Sequence, residues 1–325
     1  MSPRARIVVI AGAAACLAAG GTVALAVITS NGKPGSDGKP VPLAGTPPLA
    51  LDLGLRNDPE ARALRRAERL YPKRRAAAGR IFARLHSPAA QIGAAFAAWP
   101  GSGLTTLERL AQEHPRDSLV LLHLGYANLW AGDSAQATAA WQRASSAQPD
   151  TMSAQRADDA LHPGFPPGEP LFVPSFAPPA RLARLSPPRQ YELLARNASR
   201  PNADAKLLYG VALQRLGRRV SAERQYAAAA RLAPNDPEPQ VAAAVGRFAK
   251  GNPSAAFSRL GPLSKRFPHA ATVRFHLGLM LLWMARAQPG ALAEGKRQLR
   301  LAEREEPGSP LAREARKLLA GLENV

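Results

Sequence analysis

Cysteine is almost missing from this chain. The single residue, Cys16, lies inside an apolar run near the N-terminus, so neither an intramolecular disulfide nor a cysteine-based zinc site can form and the fold must be held by packing. Acidic residues are also short, 24 Asp and Glu against 43 Lys and Arg, which leaves a formal charge of +19. Such a balance attracts anionic surfaces. Arginine, alanine and proline are enriched together while lysine is scarce, however, which is a bias of composition rather than of binding, and nucleic acid is not expected as a partner. Catalytic signatures are missing too: none of the histidines has HExxH spacing, and neither a G-x-S-x-G elbow nor a G-x-G-x-x-G loop occurs. Five residues rather than four separate Gly32 from Gly38, and Pro40 stands where a phosphate loop needs Ser or Thr. The carboxylate clusters Asp158-Asp159 and Glu303, Glu305, Glu306 are of the kind that on helix ends and exposed faces is usually solvated, so no paired acid and base is expected of them. No catalytic residue, no cofactor site and no metal site is therefore expected, and the chain does not read as an enzyme.

What is present begins with length and hydrophobicity. At 325 residues and 46% hydrophobic composition the chain can bury packed cores in two or three domains. Residues 7–28 contain no charge and no proline. As a helix they would reach about 33 Å, enough for a hydrocarbon core of about 30 Å. Residues 1–30 are thus expected to be a transmembrane anchor. The alternative is a cleaved signal peptide ending at Ala24-Leu25-Ala26. A lipoprotein box at Cys16 lacks the usual leucine. The expected location is a single-pass membrane protein with its bulk extracytoplasmic, or a secreted protein if cleavage occurs. Residues 31–57 are rich in Gly and Pro without an apolar period and read as a flexible tether.

From residue 58 the pattern is helical. Asp58-Pro59-Glu60 supplies a cap, a first-turn proline and an acidic first turn, and Leu64, Ala67 and Leu70 follow at helical spacing. Basic residues (Arg62, Arg65, Arg66, Arg69, Lys73, Arg74, Arg75, Arg80 and Arg84) crowd the first two helices. They offer an alternative mode of action, contact with an anionic envelope polymer or lipid surface. Two stretches then repeat. Tyr209-Gly210, Gly217, Ala222, Tyr226, Ala229 and Pro234 recur thirty-four residues on as Ala244, Gly251, Ala256, Leu260, Leu263 and Pro268. The same markers appear earlier as Leu124-Gly125, Gly132, Ala137, Trp141, Ala144 and Pro149. Small residues let two helices approach, a large one fills the space between hairpins, and proline closes the unit.

A 34-residue hairpin with these markers resembles the tetratricopeptide repeat. The resemblance implies an all-α, right-handed superhelical solenoid of helix-turn-helix repeats behind an N-terminal transmembrane helix. N-terminal helical repeats span 58–160, with one clear copy at 118–151. Further copies span 203–236, 237–270 and 271–309, the last with a lengthened turn near Gln288-Pro289-Gly290, and a capping helix built on Leu311, Ala315, Leu318 and Leu319 completes the 190–325 group. Residues 161–189 interrupt the stack with nine prolines interleaved with Phe165, Leu171, Phe172, Val173 and Phe176, which predicts an ordered, extended crossing. His123-Leu124-Gly125 and His276-Leu277-Gly278 echo one another, an echo that duplication explains.

The resemblance also implies a function, a scaffold binding a protein or peptide partner along its concave face, with envelope assembly as one setting. Its concave positions are Leu122, Tyr126 and Trp130 in the first clear copy, Leu207, Val211, Gln214 and Arg215, then Val245 and Phe248, then Phe275, Leu279 and Trp283. Gln214 and Arg215, with Asp204 and Glu238, are polar exceptions in an apolar row. Such a row left open to water invites aggregation. Residues 165–179 are therefore expected either to cover it as an internal ligand or to plug the junction between the two repeat groups.

Overall fold

The computed structural model describes residues 41–323, and among them every regular element is helical. The expected anchor at 1–30 and the first part of the tether, 31–40, lie outside the described residues. Among those described, no helix is long and apolar enough to cross a membrane. The chain divides into two compact units whose described residues are 41–163 and 164–323.

The first unit contains α1 (Pro59–Leu70), α2 (Arg75–Phe82), α3 (Pro88–Ala97), α4 (Gly103–Glu113), α5 (Ser118–Trp130), α6 (Ser134–Ala147) and α7 (Met152–Leu161). Caps set the starts. Asp58 accepts the Ala61 N–H ahead of Pro59, Ser87 accepts that of Ala90 ahead of Pro88, and Asp117 accepts those of Leu119 and Val120. Leu64, Phe82, Ile92, Phe96, Leu107, Leu110, Leu121 and Leu122 are fully buried in one core. Gly125 explains how α5 and α6 approach: a Cβ there would meet the Trp141 ring at 2.2 Å.

Residues 41–57 depart from the tether expected of them. Leu51 and Leu53 are buried in this core, and Leu43 and Leu49 pack against it. Glycine and proline in that stretch had suggested flexibility, but alternating leucines between prolines give an already extended chain something to bury.

The second unit contains a 3-10 turn (Ala180–Arg184), α8 (Pro187–Ala198), α9 (Ala203–Arg215), α10 (Arg219–Leu232), α11 (Pro237–Val245), α12 (Ser254–Arg266), α13 (Ala271–Met284), α14 (Ala291–Glu305) and α15 (Pro310–Glu323). Consecutive helices pair as hairpins, and the first helices α9, α11 and α13 also pack side by side. Two details correct the sequence reading. Helix α8 begins inside the expected crossing, because prolines break a helix only in its interior and Pro187-Pro188 occupy its first turn. Phe248 is not on a helix: α11 stops at Val245, and Phe248 sits buried in the turn that follows. The lengthened turn of the last hairpin ends at Gly290, whose φ of 83° is left-handed. Beyond it Gly295 and Leu299 of α14 meet Gly278 of α13.

Candidate functional site

An extended segment has no internal hydrogen bonds, so every amide that leaves water must find an acceptor elsewhere. In the second unit that segment is residues 169–176, a strap lying on the face formed by α9, α11 and α13. Pro170 and Pro174 have no N–H to satisfy. The Phe172 N–H donates to Oε1 of Gln214 on α9 at 3.1 Å, and Nε2 of the same Gln214 donates back to the Pro170 carbonyl at 3.1 Å. The Val173 N–H donates to Nε2 of His276 on α13 at 2.9 Å. The Ser175 N–H donates to Oε1 of Glu238 on α11 at 2.6 Å. Three successive hairpins thus each supply one buried acceptor to the strap.

Side chains complete the seat. Phe172 is 1% exposed, its ring stacked on His276 at 5.0 Å and edge-on to Tyr226 at 5.5 Å. Phe165 meets Phe248 at 6.5 Å, and Val173 packs against the cluster of Phe275, Leu279 and Trp283. Arg219 holds Glu169 at the leading end with a 2.6 Å ion pair. The Tyr226 hydroxyl donates to Gln214 Oε1 at 3.0 Å and so orients the amide that grips the strap.

The tautomer of His276 follows from its partners. Its Nδ1 lies 2.7 Å from the Thr272 carbonyl, which can only accept, so Nδ1 carries the proton and Nε2 is free to accept from Val173. Burial pulls its pKa down to about 4 and keeps it neutral. Burial acts oppositely on Glu238 and pushes its carboxyl up to about 7.

The first unit repeats this arrangement. Leu43 N–H donates to the Trp130 carbonyl at 2.9 Å, the Tyr71 hydroxyl to the Pro47 carbonyl at 2.8 Å, and Ala50 N–H to Nε2 of His123 at 3.2 Å. Nδ1 of His123 faces the Leu119 carbonyl at 2.7 Å, the same tautomer as in His276, and its pKa is likewise pulled down to about 4 by burial. Leu51 N–H donates to Glu68 Oε1 at 2.8 Å, and Asp52 accepts the Met152 N–H at 3.1 Å. Burial pushes both carboxyls up.

The residues expected on the concave face are buried, with Arg215 the one exception. Leu122, Tyr126 and Trp130 are buried in the first unit; Leu207, Val211, Gln214, Val245, Phe248, Phe275, Leu279 and Trp283 are buried in the second, and Arg215 is half-buried. None of the buried ones is open to an outside partner while the straps are seated. Gln214 is among the residues expected on the concave face, whereas Glu238 shows in the sequence only as a polar break in an apolar row and His123 and His276 only as an echo of duplication; polar residues at buried positions, opposite an extended apolar segment, are the signal that marks all of them. Among the described residues no group of three or more His, Cys, Asp or Glu is arranged to hold a metal ion. On α1, α2 and the turns beside them, Arg62, Arg66, Arg69, Lys73, Arg74, Arg75, Arg80 and Arg84 are exposed.

No family profile matches the chain, and no curated protein matches it. Among solved structures it is similar to the crystal structure of the C-terminal part of a TPR repeat-containing protein from Cytophaga hutchinsonii. That match has 13% identity and a TM-score of 0.29, and it covers 78% of this chain and 98% of the other.

Proposed function

We propose that this chain is a non-catalytic scaffold of the tetratricopeptide type, which binds an extended stretch of a partner protein on the face of α9, α11 and α13. The observation that supports it is the set of three buried acceptors, Gln214, Glu238 and His276, spaced to take the amides of an extended chain. The same proposal places residues 7–28 in a membrane, with the hairpins extracytoplasmic and envelope assembly as the setting. A partner held this way is expected to stay with the full-length protein through a wash in about 0.5 M salt, because apolar burial and amide hydrogen bonds are not screened. It is expected to be lost on Arg215→Glu, at the half-buried edge of the face. Salt-resistant capture that ignores Arg215→Glu would refute the site. For the tether, the protein is expected to resist carbonate extraction and to yield its intact N-terminal peptide by mass spectrometry; a mature N-terminus at Val27 would establish cleavage instead.

The exposed basic side chains of α1 and α2 favour a second reading, attachment to an anionic lipid surface or envelope polymer. Release by salt alone, together with loss on Arg66→Glu and Arg69→Glu, would establish it.

A further inference from the structure

The two straps differ in sequence, Pro47-Pro48-Leu49-Ala50-Leu51-Asp52 in one unit and Pro170-Leu171-Phe172-Val173-Pro174-Ser175 in the other. They are nevertheless held alike. Each strap precedes its own hairpins in the chain, and each gives one amide to the histidine of a His-Leu-Gly helix, His123 on α5 or His276 on α13. Each gives the neighbouring amide to a side-chain oxygen on another helix of the same unit, Glu68 on α1 or Gln214 on α9. Successive amides of an extended chain point to opposite sides. The paired acceptors therefore grip the main chain from both sides, whatever its side chains.

Given the scaffold reading above, we propose that the strap at 169–176 is a built-in stand-in for the partner, and that the groove takes in its place an extended peptide with an aromatic and a branched apolar residue flanked by prolines. The chemistry of that peptide follows from what seats the strap. The slot between Tyr226 and His276 takes a phenyl ring, and the Phe275, Leu279 and Trp283 cluster takes a branched side chain. Prolines on either side remove amides and hold the chain extended before it docks, which lowers the entropy lost on binding. Being joined to the protein at both ends, the strap competes at an effective concentration of about millimolar, so an outside chain binds only by displacing it and binds more tightly once the strap is weakened.

The probe is a fluorescent peptide copying residues 169–177, titrated into the full-length protein and into its Phe172→Ala and Val173→Pro variants. The first variant vacates the ring slot and the second removes the amide that His276 accepts. Both are expected to keep their helical circular dichroism and to bind the peptide at least about tenfold more tightly than wild type. N-methylation of the peptide at the valine nitrogen is expected to weaken binding by about tenfold, since one buried acceptor is then left empty. Folded variants that bind no better than wild type would overturn the proposal, and so would indifference to N-methylation. Unfolding of both variants would overturn it as well, by showing the strap to be part of the core. If the peptide fails while a membrane partner is still lost on Arg215→Glu, the scaffold reading stands and only this description of its ligand falls.

Discussion

Gly210 faces the ring of Tyr226 so closely that a Cβ would lie 2.3 Å from a ring carbon, while Gly246 closes on the same ring from another side at 2.9 Å. Neither neighbour is the loose end of a flexible chain. Gly210→Ala is therefore expected to destabilise the protein by about 1–3 kcal/mol through overpacking. Gly261, inside α12, has nothing within 4 Å of its Cβ position, and Gly261→Ala is expected to stabilise by up to about 1 kcal/mol through helix propensity. Chemical denaturation compares the two, and equal effects would contradict the packing. The buried titratable groups give opposing pH limbs. His123 and His276 have folded pKa values depressed from 6.5 to about 4, so stability present above 6.5 is lost as pH falls through about 4. Glu238 is raised from 4.5 to about 7, so stability present below 4.5 is lost as pH rises through about 7, a loss sharpened by the neighbouring Asp236. Asp204 and Glu306 line the same cleft. Glu238→Gln keeps an acceptor for Ser175 without the charge. It is expected to be more stable than wild type at pH 8, by on the order of 2–3 kcal/mol at most, with the advantage gone near pH 4.5, as thermal melts at the two pH values would show.

Elements were legible where their signals were local. Pro149, Pro234 and Pro268 each fall two residues past the end of a helix, at the closing positions read from the repeat markers. The start of α5 was equally local. Asp117 accepts two amides there, at 2.8 and 3.3 Å, and Asp117→Ala is expected to cost about 1 kcal/mol in denaturant unfolding. Less legible was the docking of residues 41–57 and the seat of residues 169–176. Their amides are met by side chains 17 to 103 residues away, and nothing in a local window states which distant backbone will lie on a given glutamine or histidine. Helix α11 was misjudged for a related reason: Arg247 and Phe248 continue the helical spacing, yet the turn claims them.

Each unit carries its own core and its own strap, so damage in one is expected to be read within it. Tyr226→Ala removes a fully buried ring that touches Phe172 and is expected to cost about 3–5 kcal/mol. Hydrogen exchange should then accelerate across residues 164–323 and leave 41–163 near their wild-type rates, with Trp141→Ala giving the reverse. Exchange that rises equally in both units after either substitution would show them to unfold as one.

The straps also impose an order in time. In each unit the segment that fills the groove is synthesised before the helices that hold it, 73 residues ahead of His123 in one and 103 ahead of His276 in the other. Hairpins close through near neighbours and form early, whereas closing so long a loop is entropically expensive and slow. Seating the strap on its histidine is therefore expected to be a late step of folding in each unit. Until it is complete the apolar row stands uncovered, and a nascent chain at this stage is the form most in need of a chaperone and the one to which an outside peptide has unopposed access.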